Sequence, residues 1–293
     1  MTAVHKRPIA LHTGAAALLL LAASCGGGGS EGHGASTADA SAADYVPFTF
    51  TGQVFERTAG DCAGPGTPCG RFRIAYPGIT GGGTDSTRVR MNRLLVNMVT
   101  EDAMQSGEGR SFEELAAGFL GEFTRAREEF PDAASTSEWT LEVTLTPLFD
   151  APEVLSLQLL EFMFSGGAHP NSITVLRSFD TRSGSPLRLE DMVRPESMDA
   201  LIGVGERRFR EVRGIGFGND LRDAGFFAEN EGGFYLTDNV AITADGLRFF
   251  YNPFDIAAYA EGPTGLLLPW DEVRKHLLPG TPAAAAADQA RLR

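Results

Sequence analysis

The chain alternates between two hydrophobic periods, and the changes of period mark its elements. Val46 to Glu56 (VPFTFTGQVFE) and Arg71 to Tyr76 (RFRIAY) are rich in β-branched and aromatic residues. With a Gly/Pro-rich turn between them they predict a hairpin. From Asp85 the period lengthens. Met91, Leu95, Met98 and Val99 recur at helical spacing over 85–104, with Asp85 placed as the cap. Ser111 and Glu114 have the spacing of a capping box, followed by the apolar stripe Phe112, Leu115, Phe119, Phe123 and Phe130 before Pro131. Strict alternation returns in EWTLEVTLTPLF, with Trp139, Leu141, Val143 and Leu145 on one face. EVLSLQLLEFMF opposes Leu155, Leu157 and Leu159 to Ser156 and Gln158, then becomes apolar on both faces from Leu160 to Phe164 apart from Glu161, which predicts a central strand. NSITVLRSFD is a returning strand, and 195–213 an amphipathic helix. FYLTDNVAITADGLRFFYN is a hairpin turning at Ala244-Asp245-Gly246, followed by a short strand at 265–268 and a helix over 269–278. Strands and helices do not alternate regularly. The expected class is therefore α+β, with antiparallel β-sheets and packed helices in two sub-domains, 45–165 and 166–279.

The ends carry a different signal. His5, Lys6 and Arg7 precede the apolar run Ala15 to Ala23, which is too short for a permanent membrane span. Leu21-Ala22-Ala23-Ser24-Cys25 resembles a bacterial lipobox, so 1–24 reads as a lipoprotein signal peptide and Cys25 as the lipidated N-terminus. Residues 25–44 are rich in Gly, Ser and Ala, the composition of a flexible tether, and 280–293 read as a disordered tail, unstructured or weakly helical. The expected location is exported, as a lipoprotein of the cell membrane or outer membrane, held to the bilayer through its lipid alone. The formal charge is −13, becoming about −15 once Lys6 and Arg7 leave with the signal. That acidity argues against nucleic acid as a partner and permits attraction to a cationic protein. Cys62 and Cys69 bracket AGPGTP, and in an exported protein such a pair reads as a local disulfide.

Chemistry gathers around FSGGAHPN, Phe164 to Asn171, which holds the only histidine in the middle of the chain. As a general base, His169 needs a nucleophile or an orienting carboxylate within reach, and no G-x-S-x-G elbow occurs. His169 is thus the one weak catalytic candidate, while turn chemistry at Gly166 and Gly167 accounts for the whole motif. A phosphate-binding loop would need Lys-Ser/Thr and a helix after the glycines, whereas Pro170-Asn171 leads into a strand. The histidines show no metal-ligand spacing, and no cofactor is implied. Glu190-Asp191 and Asp271-Glu272 stand at helix starts, where carboxylates complement the dipole. In the aromatic cluster Phe249, Phe250, Tyr251, Phe254 and Tyr259, alternation places most rings in the core. Tyr251 and Tyr259 have polar tips that could line a surface, so they join His169 as ligand-binding candidates.

Three segments together carry a resemblance: FSGGAHPN, SFDTRSGSPLRLEDMV, and FYLTDNVAITADGLRFFYNPFDIAAYAEGPTGLLLPWDEV. In this order they resemble the RsiV-type domain, the extracellular part of the anti-sigma-V factor, which also occurs in many bacterial envelope proteins of unknown function. The resemblance is strongest from Phe162 onward, and Phe254 stands where that family prefers Tyr. The family's characterised member senses lysozyme by binding it. The resemblance therefore implies a lipid-anchored binding domain, non-catalytic, with a protein or cell-wall ligand such as a lysozyme-like cationic muramidase or peptidoglycan. The family's cytoplasmic signalling segment has no counterpart in this sequence, so the signalling role is not implied. Two rivals stand beside this expectation. One is an envelope hydrolase acting on peptidoglycan or carbohydrate with His169 in its site; the other is a structural lipoprotein of an envelope assembly.

Overall fold

The period-2 segments between 49 and 180 build one sheet. The computed structural model describes residues 45–64, 67–102, 109–131, 138–227 and 233–291; the expected signal peptide, Cys25 and the expected tether lie outside them. Strands β1 (Thr49–Gly60), β2 (Cys69–Gly81), β3 (Glu138–Ala151), β4 (Val154–Phe164) and β5 (Asn171–Asp180) lie side by side in chain order. All neighbours are antiparallel except β2 and β3, which are parallel. The sheet is thus mixed where antiparallel pairing was expected. Parallel strands need a crossover, and helices α1 (Asp85–Asp102) and α2 (Phe112–Glu129) lie between β2 and β3 in the chain. The Cys62–Cys69 disulfide is formed at the end of the β1–β2 hairpin.

The two helices cover one face of this sheet. Met91, Leu95, Met98 and Val99 of α1, with Leu115, Phe119 and Phe123 of α2, are buried. All but Phe123, which packs on Trp139, meet Phe72, Ile74, Leu141, Val143, Leu145, Leu155, Leu157 and Leu159 from the strands. The capping box forms as its spacing predicts: the Glu114 amide donates to Ser111 Oγ, and the Ser111 amide to the Glu114 carboxylate. Phe130 departs from the expected stripe and is 55% exposed. As the C-cap, with φ −131°, it has already left the helical path. β4 lies inside the sheet as expected, but Glu161 rather than Leu160 turns to the helix side. Leu160 is 41% exposed, and Glu161 is buried. The period-2 rule puts Glu161 in line with Leu155, Leu157 and Leu159.

A second, three-stranded antiparallel sheet holds β6 (Val240–Ile242), β7 (Gly246–Tyr251) and β8 (Thr264–Pro269). Helix α3 (Leu189–Met192) precedes it, and α4 (Met198–Arg213) packs against β8. Leu201, Val204 and Phe209 of α4 share a core with Leu247, Phe249, Tyr251, Leu266 and Leu268. Helix α5 (Trp270–Val273) is one turn long, with a 3-10 turn Arg274–His276 behind it, in place of a continuous helix over 269–278. The expected disordered tail is in fact helix α6 (Pro282–Ala290). Thr281 caps it, and Ala283, Ala286 and Ala287 are buried in the second core. Those alanines fall at i, i+3 and i+4, one helical face. Small side chains without an obvious apolar stripe hid that face in the sequence.

The join between the sheets runs along the outer edge of β5. Asn239 accepts the Leu176 amide on Oδ1 (2.6 Å) and donates through Nδ2 to the carbonyls of Thr174 (2.8 Å) and Phe250 (2.9 Å). Asn252 accepts the Thr174 amide (2.7 Å) and donates to the Thr174 carbonyl (3.1 Å). Further along, the Ile242 amide donates to Ser178 Oγ (2.9 Å), which is itself paired with Ser156 Oγ inside the protein. Two side-chain amides thus stand in for a sixth strand, and the sub-domain boundary expected at 165/166 falls inside the first sheet, between β4 and β5.

Removing an amide that completes a sheet edge leaves buried backbone groups unpaired, at about 1–3 kcal/mol each. Asn239→Ala is expected to lower stability by about 2 kcal/mol or more in urea unfolding. A change within experimental error would contradict the clamp.

The fold also carries a pH signature at His276. Burial, with Lys275 and Arg194 alongside, pushes its imidazole below the ordinary value, so the folded chain favours the neutral ring. As pH falls, the unfolded chain takes the proton first, near its ordinary value of about 6.5. Stability present above that pH is therefore lost below it. Thermal melts from about pH 7 to about pH 5 are expected to show a smaller loss of Tm in His276→Gln than in the wild type. Equal losses would remove His276 as a cause.

Candidate functional site

The FSGGAHPN loop joins β4 to β5 at one end of the first sheet, and its local geometry follows from its glycines and proline. Gly166 has φ 78°, a conformation glycine adopts without strain, and it turns the chain directly after β4. Gly167 takes no left-handed conformation, so one glycine does the work expected of two. His169 is exposed; its Nδ1 lies 3.1 Å from the Pro170 carbonyl as donor, and its ring stacks on Tyr259 at 4.0 Å with 23° between planes.

Tyr259 comes from the second sheet. It opens a 3-10 turn, Tyr259–Glu261, between β7 and β8. Arg213, at the end of α4, fastens that turn by donating to the Glu261 carbonyl and carboxylate while its guanidinium lies over Phe226. The Tyr259 hydroxyl donates to the same Pro170 carbonyl that His169 faces (2.8 Å). One carbonyl therefore holds two rings, one from each sheet.

A third ring completes the cluster. Phe254 lies 5.8 Å from Tyr259, ring to ring, and is 63% exposed. Its φ is 73°, a conformation that is a genuine outlier for a bulky side chain. The strain is held in place locally. The Asn252 amide donates to the Asp255 carboxylate (2.6 Å), the Asp255 amide to the Asn252 carbonyl (3.1 Å), and the Phe254 amide to the Ala257 carbonyl (3.1 Å). Tyr235 pins the same turn by donating to the Asp255 carbonyl. Strained backbone that the surroundings over-determine clusters at ligand-contacting positions. Exposed His169 and Phe254 thus flank a half-buried Tyr259 in an aromatic cluster set by backbone hydrogen bonds.

Tyr251 does not belong to this surface. It is fully buried, its ring among Phe209, Phe234 and Tyr235, and its hydroxyl donates to the Tyr235 carbonyl (2.7 Å). Burial pushes its phenol far above the ordinary value. The expectation that its polar tip could line a surface fails because the tip is spent on a backbone carbonyl inside the core. Phe254 was missed for a related reason. Alternation assigned it to the core, but Asn252-Pro253 ends β7 first, so Phe254 no longer follows the strand's period.

The cluster offers little that a general base could use. Among the described residues His169 makes no ion pair with a carboxylate, and no group of three or more His, Cys, Asp and Glu could hold a metal ion. No helix of the described residues is long and apolar enough to cross a membrane. The site lies far from the start of the described chain. Tyr45 donates its hydroxyl to Asp150, and the Phe48 amide donates to the same carboxylate (2.7 Å). Burial in that pair raises both groups above their ordinary values. Asp150 sits beside the β3–β4 turn, so the 11 residues of β4 separate Tyr45 from the His169 loop by roughly 35 Å at about 3.3 Å per residue.

Comparison with known proteins places these elements. The family model described as "Protein of unknown function (DUF3298)" matches residues 190–271, the stretch that carries the second sheet, both clamp asparagines, Phe254 and Tyr259. No curated protein matches. Among solved structures, a DUF3298 family member from Bacteroides fragilis is similar with a TM-score of 0.64 and 16% identity, over 83% of this chain and 98% of that one. A DUF3298 family protein from Pseudomonas aeruginosa has a TM-score of 0.58 and 16% identity, over 79% and 95% of the two chains. At that identity the likeness is one of fold, and it extends over both sheets.

Relieving the strain at residue 254 separates the ring from the fold. Phe254→Gly is expected to hold or raise stability by up to about 1 kcal/mol. The left-handed penalty of about 1–2 kcal/mol disappears, glycine's extra chain entropy takes back about 0.5–1 kcal/mol, and the exposed ring contributes little burial. A fall in Tm of several degrees in calorimetry would show that the ring serves the core.

Proposed function

We propose that this chain is a lipid-anchored envelope protein whose ectodomain binds a macromolecular ligand without catalysis. The observation that carries this reading is the His169–Tyr259–Phe254 cluster, with two exposed rings on a half-buried tyrosine and a strained backbone at Phe254. Aromatic residues dominate binding hot spots because they offer a large contact area at low conformational entropy. His169 serves as a stacking partner, and among the described residues it makes no ion pair with a carboxylate that would orient it as a base, which disfavours the hydrolase reading.

Two further features support the arrangement. With Cys25 acylated, the tether joins the folded body at Tyr45, so the anchor does not crowd the aromatic cluster at the opposite end of β4. The acidic chain suits a cationic partner, with attraction that weakens as salt rises. The ligand we propose is a lysozyme-like cationic muramidase, in line with the resemblance to the RsiV-type domain.

Isothermal titration of the full-length chain with lysozyme at moderate salt tests this. Saturable binding is expected, with the Phe254→Ala/Tyr259→Ala double variant weaker by at least about tenfold, or 1.4 kcal/mol. Absence of binding at micromolar protein would remove the muramidase as ligand, and undiminished binding by the double variant would remove the cluster as its site.

A further inference from the structure

Exposed phenylalanine is rare in this chain and unevenly placed. Of its 20 phenylalanines, only Phe130, Phe217, Phe227 and Phe254 are exposed. Phe130 caps α2, whereas the other three lie on two neighbouring segments, 214–227 after α4 and 252–263 between β7 and β8. Backbone and side-chain bonds join these segments. The Phe227 amide donates to the Ile256 carbonyl (2.7 Å), Phe226 pairs with Ala257, and Arg213 at the root of the first bonds Glu261 of the second. Apolar groups exposed singly need no explanation, but exposed groups gathered in one place mark an interaction site.

A buried guanidinium fixes the first segment. Arg210, in the last turn of α4, donates to the Glu206 carboxylate (2.8 and 2.7 Å) and to the carbonyls of Gly216 (3.2 Å) and Asn219 (2.9 Å). Between those carbonyls Phe217 and Gly218 form a β-turn, closed by the Asn219 amide on the Gly216 carbonyl (3.1 Å). Ile215, Leu221 and Phe226 on either side pack into the second core. Phe217, at the tip, is 68% exposed, and Phe227 is 47% exposed. A buried charge costs stability unless its geometry is well satisfied, and here its bonds hold the backbone on both sides of an outward-facing ring. A ring on backbone already fixed loses little entropy on binding, which suits it as an anchor. Phe254 is presented in the same way, on a turn fixed by Asn252, Asp255 and Ala257.

The charges around the rings indicate the kind of partner. Over 213–227 and 252–263 the acidic residues are Asp220, Asp223, Asp255 and Glu261, and the basic ones are Arg213 and Arg222. Arg213 and Glu261 pair with each other, which leaves Arg222 against three exposed aspartates. An anionic bilayer is repelled by such a rim, and a second copy brings the same carboxylates to a two-fold interface. A protein with an apolar depression among lysines and arginines is the complement. We propose that Phe217 and Phe227 are the second half of a docking surface for a cationic folded protein, which extends the His169–Tyr259–Phe254 cluster onto 214–227. This rests on the reading of that cluster as a protein-binding site and adds two anchors to it.

Isothermal titration of the full-length chain with lysozyme, as the cationic probe, tests the extension. Phe217→Ser/Phe227→Ser is expected to bind at least about tenfold more weakly than the wild type, although the cluster is intact. Phe217→Ser alone, at the most exposed of the rings, is expected to bind more weakly at wild-type Tm. Asp220→Asn/Asp223→Asn is expected to lose part of the wild type's salt dependence. Undiminished binding by both serine variants, beside weakened binding by Phe254→Ala/Tyr259→Ala, would overturn this inference and leave the cluster as the whole site. Absence of wild-type binding would overturn both readings. An unchanged salt dependence in the asparagine variant would contradict a cationic partner at this rim. Sedimentation showing a dimer that the serine variant loses would assign the rings to a second copy and equally overturn the proposal.

Discussion

An edge strand presents a row of unpaired amides and carbonyls, and a stable protein must do something with them. In this chain the outer edge of β5 is met by the side-chain amides of Asn239 and Asn252, each with a donor and an acceptor set like those of a peptide group. A sixth strand would have extended the sheet. Two asparagines end it, and because Asn239 directly precedes β6 and Asn252 directly follows β7, they tie the second sheet to the first at a fixed register. Asn239 shows this most directly, since its Nδ2 bonds Thr174 of the first sheet and Phe250 of the second. Directional polar bonds inside a partly buried seam specify geometry in a way that apolar contact alone does not.

The candidate site inherits its geometry from that seam. Asn252 anchors on Thr174, Pro253 ends β7, and Phe254 follows immediately in its left-handed conformation. Five residues later Tyr259 reaches back to Pro170 and stacks on His169. The β4–β5 loop and the β7–β8 connection therefore meet because an asparagine at the root of one is bonded to the strand at the root of the other.

What could be read from the sequence divides along physical lines. Local signals were legible. The Ser111–Glu114 capping box, the strands of the first sheet and the Cys62–Cys69 pair depend on residues close in the chain, and the structure has all of them. Properties decided by distant partners were not. The parallel pairing of β2 with β3 depends on where two helices carry the chain, and helix α6 depends on a core that accepts alanine. Tyr251 and Phe254 exchanged their expected places because one hydroxyl found a carbonyl inside the protein and one ring lay just past a proline that broke the strand period. The clamp asparagines were visible as letters, but asparagine beside a turn ordinarily reads as turn chemistry. Nothing local marks one whose amide pairs with a strand far away in the chain.

Hydrogen exchange at the Thr174 and Leu176 amides, followed by NMR, measures the seam most directly. Both face away from β4 toward the asparagines, so their protection depends on those side chains and not on the strand ladder. The expected result is protection comparable to amides of the inner strands, lost only in global unfolding. Exchange as fast as that of an uncovered edge strand would contradict the claim that two asparagines close this sheet and position the site.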